Sequence, residues 1–372
     1  MNRPLSGIRI LDFSTLLPGP LCTLLLAEAG AEVIKIERPG MGDEMRIYTP
    51  RVGPDSVNFA LLNRGKRSIA IDLKDKGAAE RLAPLIRTTD VVVEQFRPGV
   101  MERLGLGYDA LRALNPRILY CTITGYGQEG PRAQVAAHDL NYLAESGMLS
   151  LAAGADGAPV VPPALIADIA GGAYPAVMNI LLALRQRDRD GVGCRLDISM
   201  SDNLFTFIYW ALGEGEVTGK WPGPATGLVT GGSPRYQVYR TADARFVAAA
   251  PLEQRFWQNF CTAIDLPAEY ADDARDPQGT RRAVAERIAA KSSDEWRKVF
   301  EGKDLCCSIM STVEEALQSP QFRARGLFAH KVETDAGPLT AVPVPIAEHF
   351  RDPRPAGYPR LGADNDLLDA KD

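Results

Sequence analysis

Five short apolar runs, residues 8–13, 32–37, 68–72, 90–94 and 118–123, alternate with helix-length stretches over the first third of the chain, and no other feature constrains the fold as tightly. The segments 19–29 (closed by Gly30), 76–86 and 108–114 have the apolar spacing of helices. Strands joined through helices pair in parallel, and a parallel sheet must have both faces covered, so the alternation predicts an α/β fold. Near residue 228 the rhythm changes. Residues 236–239 and 246–250 flank the turn Thr241-Ala-Asp-Ala244 as a hairpin, and mostly helical sequence follows to about 325.

At 372 residues the chain exceeds one ordinary hydrophobic core. The predicted division is a large domain over 1–212, a Gly- and Pro-rich linker over 213–234, a small α+β domain over 235–325 and a C-terminal segment over 326–372. Lys plus Arg number 42 against 47 Asp plus Glu, a net charge of −5, which disfavours a nucleic-acid partner. The six cysteines stand at 22, 121, 194, 261, 306 and 307 without a CxxC pair, so neither structural disulfides nor zinc is expected. No signal-peptide-like run precedes Asp12, and a cytoplasmic protein is expected. Residues 158–184 carry Asp168 as their only charge, but Pro162, Pro163, Pro175 and Gly171-Gly172 break the run, which reads as buried core rather than a membrane span.

Several residues stand out chemically. The first βα turn, Leu16-Leu-Pro-Gly-Pro20, lacks the spaced glycines of a dinucleotide fingerprint. Arg38, closing the second strand, suits a ribose bearing a phosphate, as in NADP or coenzyme A, or else a solvated strand end. Two basic loops, Asn63-Arg-Gly-Lys-Arg67 and Phe96-Arg-Pro-Gly-Val-Met-Glu-Arg103, are candidate phosphate grips, with solvated surface as the alternative. His138-Asp139 follows the loop Gly125-Tyr-Gly-Gln-Glu-Gly130 and opens a helix over 140–148. There the imidazole can serve as a base, held toward neutrality by the helix's positive end, with Asp139 as the N-cap. Asp168, alone among apolar residues, must be paired, protonated, functional or a cap for a helix over 170–184. Glu253 in Pro251-Leu-Glu-Gln-Arg255 is a third acid in an apolar context, while His330 and His349 read as surface.

Leu5-Ser-Gly-Ile-Arg-Ile-Leu-Asp12, the segment from Gly30 to Gly40, Asn63-Arg-Gly-Lys66, Arg97-Pro-Gly-Val100, Leu104-Gly-Leu-Gly107, Gly125-Tyr-Gly-Gln128 and Asp168-Ile-Ala-Gly-Gly172 form a set. With it the chain resembles, nearly end to end, the class III coenzyme A transferase superfamily, and within it most closely the racemases of α-methylacyl-CoA. Two departures from the racemase pattern, Ala164 and Gln254-Arg255, leave substrate and reaction open. The resemblance implies a Rossmann-like large domain built from both chain ends, a smaller inserted domain and an interlinked homodimer. It implies an acyl-CoA substrate, with coenzyme A part of that substrate and no prosthetic group or metal.

Carried onto this chain, the resemblance makes His138 and Asp168 the two bases that invert the α-carbon, Glu253 the group that orients His138, and Asp139 an assistant. Backbone N–H groups of the helix after His138 would receive the enolate oxygen. It makes Arg38, Asn63, Lys66, Arg97, Arg103 and Gly125 the coenzyme A contacts. The alternative is a transferase in which Asp168 attacks the acyl thioester and carries coenzyme A as an aspartyl thioester to a carboxylic acid.

Overall fold

The computed structural model describes residues 3–369 apart from residue 155. These fall into two compact units: one takes in residues up to Ser146, Pro162–Phe207 and everything from Gln321 onward, the other Gly147–Val161 and Ile208–Pro320. The stretch 213–234, expected as a linker, lies in the second unit, where it holds most of the helix Tyr209–Thr218 and the turn Leu228–Gly232. Residues 147–161 join the same unit because Leu151 accepts a backbone hydrogen bond from Ala225 at 2.9 Å, a pairing across more than seventy residues that no local pattern announces.

The first unit is a six-stranded sheet of β1 (Arg9–Asp12), β2 (Glu32–Glu37), β3 (Arg67–Ala70), β4 (Val91–Glu94), β5 (Leu119–Thr124) and β6 (Arg195–Ser199). The order is β3-β2-β1-β4-β5-β6 and every pairing is parallel. The near-continuous burial of Val91–Glu94 and Leu119–Thr124 is what a sheet covered on both faces demands. Helix α1 (Pro18–Glu28) is buried almost throughout, whereas α2 (Ala78–Arg87) buries only the stripe Ala78, Leu82, Leu85 and Ile86.

Helix α3 (Tyr108–Leu114) follows β4, and α4 (Asp139–Glu145) stands between β5 and the next long helical run. That run is a π-helical stretch, Ala167–Ala173, continuing into α5 (Tyr174–Asp190). Pro175 stands inside this continuous run without breaking it as expected; the Gly171 carbonyl four residues before it, denied the proline's N–H, accepts from Asn203 Nδ2 at 2.8 Å. By length and hydropathy Ala167–Asp190 would also span a membrane; its Ala176, Ile180, Ala183, Leu184 and Arg187 are buried. Arg187 pairs with Asp90 at 2.8 Å.

The second unit pairs Gln237–Arg240, Phe246–Ala249 and Cys307–Ile309 as an antiparallel sheet with the hairpin at its heart. Trp257, Phe260, Val284, Ile288 and Trp296 from three helices close its core.

Candidate functional site

Where the strand order reverses, between β1 and β4, the two following chain segments leave the sheet in opposite directions and open a crevice beyond the strands' carboxyl ends. A cavity of about 400 Å3 lies there. Leu16 and Pro18 after β1, Gln95, Phe96 and Arg97 after β4, and Gly125 and Tyr126 after β5 line it. His138 and Asp168, far apart in sequence, line it together.

His138 is the residue that caps α4. Its N–H donates to Asn141 Oδ1 at 3.0 Å, and its imidazole, exposed at the cavity, takes no hydrogen bond from or to any described residue. This corrects the expected cap: Asn141 satisfies the helix start, which frees Asp139 to reach elsewhere. Asp139, 5% exposed, accepts the backbone N–H of Asp168 at 3.0 Å. Asp168 is therefore the second residue of the π-helical stretch Ala167–Ala173 and not the cap of a helix starting at 170; the cap is the carboxylate of Asp139.

That arrangement sets the protonation of the pair. Burial pushes the half-buried Asp168 carboxyl up to about 7, and the neighbouring Asp139 charge adds to it. Burial raises Asp139 as well, against the pull of the backbone N–H groups of Asp168, Ala167 and Ile166. A carboxyl that titrates near neutrality, in the lining of the same cavity as an unengaged imidazole, can hold or release a proton at little cost.

The expected phosphate contacts separate. Arg97 lines the cavity and is exposed; Arg38, just past β2, and Arg103, at the end of the short helix Val100–Arg103, are exposed outside its lining. Gly125 also lines it, and a Cβ there would stand 2.5 Å from the Tyr142 ring, so only glycine admits that close approach. Tyr142 is anchored by its hydroxyl, which donates to the carbonyl of Ala137 at 2.9 Å.

Asn63 and Lys66 are corrected. Both are buried beneath α1, and the Lys66 ammonium donates to Asn63 Oδ1 at 2.8 Å, Thr23 Oγ1 at 2.7 Å, the Pro20 carbonyl at 2.9 Å and Asp12 Oδ2 at 3.1 Å. Three N–H bonds facing four acceptors leave none for a phosphate. Burial opposes the charge of Asp12, but Lys35, Lys66 and the hydroxyls of Ser14 and Thr23 outweigh it and hold that carboxyl well below its usual range. Lys35 continues the knot to Asp43 at 2.9 Å. Glu253 heads the helix Gln254–Ala263 in the second unit and is exposed there. His330, read as surface, keeps only 14% of its side chain exposed and meets Glu348 at 2.8 Å.

The sequence reading missed Gln95 and Tyr142. Gln95 accepts from Gly19 N at 3.2 Å and donates to the Thr15 carbonyl at 2.7 Å, tying the loop after β4 to the start of α1. A polar residue just past a buried strand was the available signal.

The CoA-transferase family III model matches residues 5–365. The human alpha-methylacyl-CoA racemase is 34% identical over 343 residues, 91% of this chain and 85% of that protein. The acetyl-CoA:oxalate CoA-transferase of Acetobacter aceti is 32% identical over 368 residues, 96% of this chain and 93% of that one. Among solved structures, Rv3272 from M. tuberculosis superposes with a TM-score of 0.83 at 28% identity, covering 98% of this chain and 99% of that chain.

Proposed function

The chain belongs to CoA-transferase family III, and from that premise we propose that it is a racemase of 2-methylacyl-CoA thioesters, inverting the carbon next to the thioester carbonyl by two-base proton transfer. The observation that carries the reading is the shared cavity of His138 and Asp168. One group takes the α-proton from one face while the other, protonated, returns a proton to the opposite face; the roles exchange for the other epimer. A carboxyl titrating at about 7 suits both halves of that cycle, since it is populated as base and as acid at neutral pH. Asp139 positions Asp168 through its backbone N–H.

Coenzyme A enters the reading through Arg97 and Gly125 in the cavity lining, with Arg38 and Arg103 as outer contacts for the nucleotide phosphates. The strand order supports a Rossmann-like mode of nucleotide binding. The assembly is an interlinked homodimer in the cytoplasm; the exposure of Tyr209, Trp210 and Trp221, at 60%, 50% and 61%, supports a covering partner.

A second reading, coenzyme A transfer through Asp168 as nucleophile, is favoured by relatives named as CoA-transferases at nearly the same identity as the racemase. Incubating one epimer of a 2-methylacyl-CoA in D2O without an acceptor acid separates the two. Deuterium uptake with loss of chirality at the α-carbon is the racemase result. Absent exchange, together with a hydroxylamine-trapped adduct at Asp168, replaces it with the transferase.

A further inference from the structure

A second cavity, about 340 Å3, opens in the first unit where α1 ends and β2 begins, at the amino-terminal end of the strands, the end opposite the His138 site. Arg3, Arg64, Lys331 and Arg354 line it, with Arg351 behind them, against the carboxylates of Glu28, Asp352 and Glu348. Five permanent cations thus face three acids. Arg354 is matched by Asp352 at 2.6 Å, while Glu28 serves two guanidiniums, Arg64 at 2.6 Å and Arg351 at 2.8 Å, and Arg351 also meets Glu348 at 3.5 Å.

The donors are not used up. Arg64, whose side chain is 3% exposed, commits Nε to Glu28 and one N–H each to the carbonyls of Leu61 at 2.7 Å and Val342 at 3.0 Å. A guanidinium has five N–H bonds, so two remain on a buried group at the cavity wall. Lys331 gives one N–H to Thr340 Oγ1 at 2.9 Å, and the Arg3 guanidinium has no hydrogen-bond partner among the described residues. Burial, with a smaller part from the Arg351 charge, lowers the Arg64 pKa against the pull of Glu28.

We propose that this cavity binds a tetrahedral oxyanion, phosphate or the phosphoryl group of a small phosphate monoester, held by Arg64, Lys331 and Arg3. A tetrahedral dianion has enough acceptors for several converging N–H donors, and the volume leaves room for an ester substituent beside it.

Titration calorimetry of the full chain with inorganic phosphate, against chloride at matched ionic strength, tests it. Phosphate should bind where chloride does not. Lys331→Gln and Arg3→Gln, both outside the His138 cavity, should each weaken phosphate about tenfold, while Arg97→Gln leaves it unchanged. Glycerol 3-phosphate binding tighter than phosphate assigns an ester; equal or weaker binding assigns the free ion. Phosphate no tighter than chloride, phosphate affinity unchanged in Lys331→Gln and Arg3→Gln, or an equal loss in Arg97→Gln overturns the proposal.

Discussion

Two polar clusters lie near opposite sides of the β1–α1 turn and treat charge in opposite ways. Beneath α1, Asp12, Lys35, Asp43 and Lys66 are buried with their charges matched and nearly every donor spent. Above it, around Leu16 and Pro18, His138 presents an imidazole with no partner among the described residues, and Asp168 carries a carboxyl pushed up to about 7. A matched cluster holds a backbone in place; an unmatched one keeps groups ready for a ligand. What a charged residue does here depends on which groups satisfy it.

The sharpest way to break this contrast is Lys66→Met. Removing one member of a buried pair should cost about 3–5 kcal/mol by denaturant unfolding, because Asp12 keeps its charge without its nearest cation. Loss of coenzyme A affinity with unchanged stability would return Lys66 to the phosphate site. Gly125→Ala should cost about 1–3 kcal/mol, read from the same unfolding curves, since its Cβ meets the Tyr142 ring. Arg97→Gln should weaken coenzyme A about tenfold in titration calorimetry with the unfolding midpoint unmoved, the reverse of Lys66.

The smallest effect is electrostatic. Asp139→Asn keeps an oxygen for the Asp168 N–H but removes a like charge, so the Asp168 carboxyl should titrate lower. The rising limb of the pH–rate profile for the epimer that Asp168 deprotonates should then move down from about 7, by less than about one pH unit. The same shift has a stability counterpart. Asp168 binds its proton more tightly folded than unfolded, so stability should fall as pH rises from about 4 to 7, and Asp168→Asn should flatten that decline in thermal unfolding scans.

The sheet was legible because strand periodicity and helix spacing are local properties, and β1 to β5 fall within a residue or two of the apolar runs that foretold them. His138 and Asp168 were legible for a different reason: each is chemically conspicuous against its neighbours. Asn63 and Lys66 were misread because a basic loop looks the same whether it faces solvent or folds under a helix, and only tertiary packing decides. The work of Asp139 was hidden for the same reason, since its partner lies 29 residues along the chain. Residues 147–161 escaped assignment to the second unit because the backbone hydrogen bond from Ala225 to Leu151 is non-local.

The most direct measurement is α-proton exchange in D2O, followed by NMR separately from each epimer of a 2-methylacyl-CoA, in His138→Ala and in Asp168→Asn. With one base on each face, each variant should lose inversion yet still wash the proton out of one epimer with retention, and the two variants should favour opposite epimers. Continued inversion in either variant, or exchange surviving from the same epimer in both, would contradict the account.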